Sequence, residues 1–209
     1  MRFETLVAAV GDLPVFETGF LLVGDVHAND VRRQLSRWVA GGKVTQFRRG
    51  LYALAPPWQH VRPHPFLVAN RLVRGSYVSL HSALAFHGLI PEAVFTVTSV
   101  THRRGRKCDT PLGTFAFHNV KRGFFTGYEA RQLVGQTVHV ATPDKALADL
   151  IHITPGAEDP AYLAELRLTS LDRLDMERFE AWAALSERVH RVLPHVRALV
   201  AAERDFQAI

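Results

Sequence analysis

Between Val31 and Val39 the apolar positions Val31, Leu35, Trp38 and Val39 fall at i, i+4, i+7 and i+8, the spacing of one buried stripe on an α-helix. The stripe predicts a helix over about Ala28–Ala40, capped by His27 or Asn29. It also fixes the opposite face: Arg32, Arg33, Ser36 and Arg37 point outward, with Gln34 at the flank. Two shorter helices are expected before it, an amphipathic one over Phe3–Val10 and an apolar one over Val15–Val23. After the Gly41-Gly42 stop, Val44–Phe47 and Leu51–Leu54 read as strands joined by Arg48-Arg49-Gly50, a hairpin with a basic tip.

Pro56, Pro57, Pro63 and Pro65 follow without helical or alternating periodicity and mark a linker. Beyond them the pattern mixes periods. Ser79 caps a predicted helix that runs through His87 with Leu80, Ala83 and Leu84 inward and Gly88 as its stop. Val94–Thr101 and Thr114–Val120 are β-rich runs separated by a basic, glycine-containing loop from Arg103 to Gly113. A strand over Thr137–Ala141 leads into Thr142-Pro143-Asp144, where Thr caps, Pro fits the first helical position and Asp favours the helix N-terminus. That helix buries Leu147, Leu150 and Ile151, and the rest from Asp159 is largely helical, with Pro194 breaking one helix from the next. The expected fold class is α+β: a winged helix-turn-helix over 1–55, a Pro-rich linker over 56–66, and a mixed α/β domain with a small sheet and helical tail over 67–209.

At 209 residues, 47% hydrophobic and 22% charged, the chain has ordinary globular composition and enough length to bury a core. No stretch approaches the roughly 18 apolar residues of a spanning helix, and Met1-Arg2-Phe3-Glu4 lacks the order of a signal peptide. No membrane association and a cytoplasmic location are therefore expected. The single cysteine, Cys108, makes neither an internal disulfide nor a cysteine-based zinc cage. Charge changes the picture more than composition does. The net charge of +5 is distributed unevenly: from Val26 to Arg62 seven basic residues meet the lone acid Asp30, and from Ser99 to Arg122 six meet Asp109. From Pro155 onward the sign reverses, with ten acids against seven arginines.

Three helices, the last outwardly cationic, followed at once by an arginine-tipped hairpin, give the order of a winged helix-turn-helix. On this reading double-stranded DNA is the partner. Arg32, Arg33 and Arg37 reach base edges or phosphates in the major groove, Arg48 and Arg49 lie along the neighbouring backbone, and Gln34, Ser36 and Lys43 complete the expected DNA-binding set. The bland alternative is a solvated, arginine-rich face. The second basic segment, with Arg103, Arg104 and Arg106, reads equally as a phosphate contact, a docking surface for an acidic protein or a loop kept soluble by charge. Eleven histidines show no metal-ligand spacing, and His87 reads as a satisfied core histidine. GxGxxG, GxxxxGK[ST] and GxSxG are absent, so no cofactor and no catalytic residue are assigned. Three functions remain open: a DNA-binding repressor, a module binding an acidic protein partner, and a Mg²⁺-dependent nuclease built around Lys121.

Arg48-Arg49-Gly50-Leu51-Tyr52-Ala53-Leu54 and Ser76-Tyr77-Val78-Ser79-Leu80-His81-Ser82-Ala83-Leu84, running on to Gly88-Leu89-Ile90-Pro91, resemble the AbiEi family of abortive-infection antitoxins. Gly113-Thr114-Phe115, Gly127-Tyr128 and Ala141-Thr142-Pro143-Asp144-Lys145-Ala146-Leu147-Ala148-Asp149-Leu150 follow the same order. The likeness covers residues 3 to 153, chiefly 44 to 153. It implies an autorepressor of a type IV toxin–antitoxin system that binds inverted repeats in its own promoter. It also implies a second domain that counteracts a nucleotidyltransferase-like toxin. The third-helix arginines, the wing arginines and Arg103, Arg104 and Arg106 are the matching positions for a basic face spanning both domains. The lead-in Gly24-Asp25-Val26-His27 departs from the small, polar pattern usual in that family.

Overall fold

The computed structural model describes residues 1–23 and 27–207; the atypical lead-in at Gly24, Asp25 and Val26 lies outside them. The chain is a mixed α+β protein with two sheets. It begins with α1 (Phe3–Val10), a two-residue strand β1 (Phe16–Glu17), a 3-10 turn (Thr18–Leu21) and α2 (Ala28–Ala40), followed by β2 (Val44–Arg48) and β3 (Leu51–Leu54). The helix expected over Val15–Val23 is thus replaced by a strand and a turn. Gly19 weakens a helix at its centre, while Phe16 and Glu17 gain antiparallel partners in Tyr52 and Leu51. The result is a three-stranded sheet in the order β1-β3-β2, with β3 central.

The second region comprises α3 (Pro65–Leu72), β4 (Ser76–Val78), α4 (Leu80–Phe86), β5 (Val97–Thr101), β6 (Arg106–Thr110), β7 (Gly113–Asn119), β8 (Tyr128–Leu133), β9 (Gln136–Ala141), α5 (Pro143–Ile153), α6 (Pro160–Glu165), α7 (Met176–Leu185) and α8 (Glu187–Gln207). Its six strands form one mixed sheet, β6-β7-β5-β4-β9-β8. β4 pairs antiparallel with β5 and parallel with β9, while β5 pairs parallel with β7. Helix α3 packs on β4 and β9, α4 on β5, and α5 lies between α4 and the pair α7–α8. Helix α3 and strands β4 and β8 have no counterpart among the sequence-based expectations. Pro65 at the first position of α3 and His64 Nδ1, which accepts from Phe66 N at 3.1 Å, start that helix inside the expected linker.

Two apolar clusters hold the molecule together. Phe3, Leu6, Val10, Phe16, Leu21, Val31, Leu35, Val44, Tyr52 and Leu54 form the first, with Trp58 packed against it. The second gathers the six-stranded sheet and its helices, and it includes Phe47, Leu51 and Ala53 from the hairpin. Alternation along β3 explains the sharing: Tyr52 and Leu54 face one cluster, Leu51 and Ala53 the other. β3 is buried throughout and forms the wall between the two lobes.

The proline-containing segment is tied down rather than slack. Trp58 meets Phe3 edge-on at 5.1 Å, Gln59 Nε2 donates to Leu54 O at 2.9 Å, and the buried Gln136 bridges Arg62 O and His64 N. Two further expectations need correction. The Arg103–Gly113 loop contains β6, paired in register with β7, so Cys108 sits on a strand. Pro194 lies inside α8. The break before that helix falls at Ser186, whose backbone is extended and whose hydroxyl lies 2.8 Å from His152 Nδ1.

Candidate nucleic-acid interface

Helix α2 buries Val31 and Leu35, leaves Trp38 and Val39 half-buried, and exposes Arg32, Arg33, Ser36 and Arg37. Gln34 is half-buried at the flank, with Oε1 buried and unpartnered. The residue at the N-cap position is His27, yet its side chain makes no capping bond, and Asn29 instead accepts from Arg32 Nη1 at 3.2 Å. Asp30 in the first turn suits the positive end of the helix and pairs with Arg33 at 3.0 Å. Both partners stand in water, where such a pair contributes about 0.2–1 kcal/mol and holds neither side chain firmly.

The hairpin places its basic residues differently. Arg49 is exposed at the turn, where Gly50 adopts φ +89, a conformation that favours glycine. Arg48 is turned toward the second lobe. Its Nη1 donates to Arg49 O at 3.0 Å and its Nη2 to Arg71 O, at the end of α3, at 3.1 Å. Lys43 lies over the rings of Phe3 and Trp58, at 4.7 and 5.7 Å from their centroids, on the rim of the first cluster.

Arg103 and Arg104 form the turn between β5 and β6, and Arg106 opens β6. Asn119 Nδ2 donates to Arg103 O at 2.8 Å, Arg103 N donates to Thr101 Oγ1 at 3.2 Å, and Arg106 Nη2 donates to Leu72 O at 2.6 Å. Together with Arg48 and Arg74 these three line a cavity of about 350 Å³ at the seam between hairpin and second lobe. Arg74, which also pairs with Glu17, was not among the predicted site residues. Its signal is the stripe Leu67, Val68, Leu72, which places Arg71 in the last turn of a helix and Arg74 just beyond it.

The most conspicuous polar cluster elsewhere is buried. Thr142 and Ser79 do not cap their helices: Thr142 Oγ1 donates to Gly127 O at 3.2 Å, and Ser79 Oγ donates to Asp149 Oδ2 at 2.7 Å. Tyr77 Oη donates to the same oxygen at 3.0 Å, and Lys145 Nζ to Asp149 Oδ1 at 2.5 Å. The Lys145 ammonium also sits 3.6 Å from the centroid of Phe124 and 4.6 Å from that of Trp182, whose Nε1 donates to Asp144 Oδ2 at 2.9 Å. Burial lowers the Lys145 pKa, raises that of Asp149, and, with the Asp149 charge, pushes the Tyr77 hydroxyl far up. Gly127 has φ +78, and a Cβ there would lie 2.5 Å from Trp182 and 3.0 Å from Lys145, so only glycine fits. The cluster ties β4 and α5 to α7, and Lys145 and Asp149 within it are fully buried.

Among the described residues no group of three or more His, Cys, Asp or Glu side chains is placed to hold a metal ion. His87 Nε2 lies 2.8 Å from Ala141 O, and burial lowers its pKa. No helix among the described residues is long and apolar enough to cross a membrane. No family model and no curated protein matches the chain. Its fold is similar to that of the RV2827C protein from Mycobacterium tuberculosis, whose crystal structure aligns with a TM-score of 0.56 at 16% identity. The alignment covers 95% of this chain and 80% of that one, a likeness of fold alone.

Proposed function

We propose that the chain is a DNA-binding transcriptional repressor with a winged helix-turn-helix over its first 55 residues, and that it acts as an AbiEi-like antitoxin against a nucleotidyltransferase-like toxin. The observation that carries the DNA-binding part is the outward face of α2. Arg32, Arg33, Ser36 and Arg37 stand in solvent over a buried Val31–Leu35 stripe, directly before a hairpin whose turn exposes Arg49. A helix of this kind enters the major groove, where arginine pairs with guanine edges and with phosphate, and the hairpin turn reaches the adjoining backbone. On this reading the 3-10 turn at Thr18–Leu21, between α1 and α2, takes the place of the expected second helix. Of the two hairpin arginines, Arg49 is the backbone contact, because Arg48 is engaged by α3. The repressor's own promoter as target, and the antitoxin role of the second lobe, rest on the motif resemblance.

Fluorescence anisotropy with the chain's own upstream DNA tests the reading. The expected result is tight binding whose log affinity falls linearly with log salt, about 0.9 per phosphate neutralised. Affinity no greater than for unrelated DNA of the same length removes the repressor reading. Co-expression with the product of the adjacent gene tests the antitoxin part: growth arrest by a nucleotidyltransferase-like partner, relieved by this chain, is the expected outcome.

A further inference from the structure

We propose that the seam cavity lined by Arg48, Arg74, Arg103, Arg104 and Arg106 binds an oligophosphate chain, the di- or triphosphate group of a small molecule. Five of its seven lining residues are arginines and none is acidic; the other two are Leu72 and Val73. Guanidinium groups gathered round one cavity repel one another, and that repulsion is relieved by an anion with several charges on adjacent centres. The fold nevertheless fixes three of the guanidiniums, that of Arg74 through its pair with Glu17. The guanidiniums of Arg48 and Arg106 are fastened by the last carbonyls of α3, Arg71 O and Leu72 O, and the Arg103–Arg104 turn is pinned by Asn119 and Thr101. Each anchored arginine keeps further N–H donors, and Arg48 Nε is already buried without a partner. Among the described residues, neither Arg103 nor Arg104 has a side-chain ion pair.

Size selects the ligand. A volume of about 350 Å³ lies at the small end of the range for small-molecule sites, roughly 300–1,000 Å³. A duplex backbone, with one phosphate per roughly 3.4 Å of rise on each strand, brings about one or two phosphates to a recess of that size. A di- or triphosphate concentrates its charge on neighbouring phosphorus centres and suits the guanidiniums of Arg103 and Arg104, with Arg74, paired with Glu17, on the same wall. Because Arg48 belongs to the hairpin and Arg103, Arg104 and Arg106 to the second lobe, the ligand fastens one lobe to the other. This inference does not depend on the DNA-binding reading.

Isothermal titration calorimetry of the full chain with inorganic tripolyphosphate, ATP and orthophosphate tests it, with no DNA present. Saturable binding of tripolyphosphate at well below about 1 mM is expected, with orthophosphate at least about tenfold weaker. Tighter binding of ATP than of tripolyphosphate identifies a nucleotide as the source, and equal binding identifies the phosphate chain itself. R103A/R104A, on an exposed turn, is expected to weaken binding about tenfold or more. Arg74→Gln removes a lining arginine independently and acts in the same direction. R191A/R197A, an equal charge change on α8, leaves binding unaltered, and tripolyphosphate raises the melting temperature of the wild type. The proposal falls if no oligophosphate saturates the protein, or if both double variants weaken binding equally. It also falls if R103A/R104A leaves tripolyphosphate binding intact while weakening duplex DNA, which assigns the cavity to the duplex.

Discussion

Helices α2 and α5 each carry an ion pair between neighbouring turns, and the two could hardly be placed more differently. Arg33–Asp30 has side chains 72% and 59% exposed, whereas Lys145–Asp149 has both at 0%. In water the first pair costs little to break, which leaves Arg33 free to exchange Asp30 for a phosphate or a base. In the core the second cannot be exchanged for anything. Lys145 and Asp149 were removed from water together, and Tyr77 and Ser79 complete the hydrogen bonds of the carboxylate. The same chemistry leaves an exchangeable pair on one helix and a fixed structural one on the other, and surroundings decide which.

The contrast is most severely tested by removing one buried partner. Lys145→Met leaves Asp149 buried without its counter-charge, and a loss of about 3–5 kcal/mol is expected in urea unfolding. A loss below about 1 kcal/mol would mean that Asp149 is protonated and the pair is not ionic. Next in size is Leu51→Ala, in the wall shared by both clusters, expected to cost about 2–5 kcal/mol through the cavity it leaves. On α2, R33A/R37A is expected to change stability by no more than about 0.5 kcal/mol while weakening promoter DNA by about tenfold or more. Unchanged affinity excludes both arginines from recognition. The smallest change is Asp30→Asn, which unties Arg33 and is expected to alter stability by less than about 1 kcal/mol, with the melting temperature nearly fixed.

A pH titration separates the lobes in another way. Burial lowers the pKa of His64, His81, His87, His118 and His152 from the ordinary value of 6.5, and all five belong to the second lobe and its approach. A base whose folded pKa is depressed contributes stability that is complete above the unfolded value and lost as pH falls through the folded one. The melting temperature is therefore expected to fall as pH drops from about 7 toward 5. A melting temperature that rises over that window overturns these assignments.

Much of α2 was legible because a single helix with one apolar stripe contains its own instructions: Val31 and Leu35 inward put Arg32, Arg33, Ser36 and Arg37 outward whatever the partner. The hairpin was legible as two strands and a turn, but not as a wall, since period-two alternation says that Leu51 and Tyr52 face opposite ways without saying what waits on either side. The 15–23 segment has the pattern of a helix because its apolar run is ambiguous until β3 supplies a ladder for Phe16 and Glu17. Thr142 and Ser79 read as caps in the sequence for a similar reason. A hydroxyl beside a helix start favours the local bond until a distant Asp149 or Gly127 offers a buried one.

The sequence by itself determined the α+β mixture, the cationic face of α2, the strand pair behind it and the inward stripes Val31–Leu35, Leu80–Ala83–Leu84 and Leu147–Leu150–Ile151, because local periodicity and short-range sterics govern those features. Only the tertiary structure brought Arg48, Arg74, Arg103, Arg104 and Arg106 to one cavity and turned Arg48 away from the hairpin's free end. It alone sank Lys145 and Asp149 together beneath Tyr77 and Trp182. Each of those outcomes depends on contacts between residues far apart in the chain, and the strength of a charge or a hydrogen bond is set by how much water those contacts exclude.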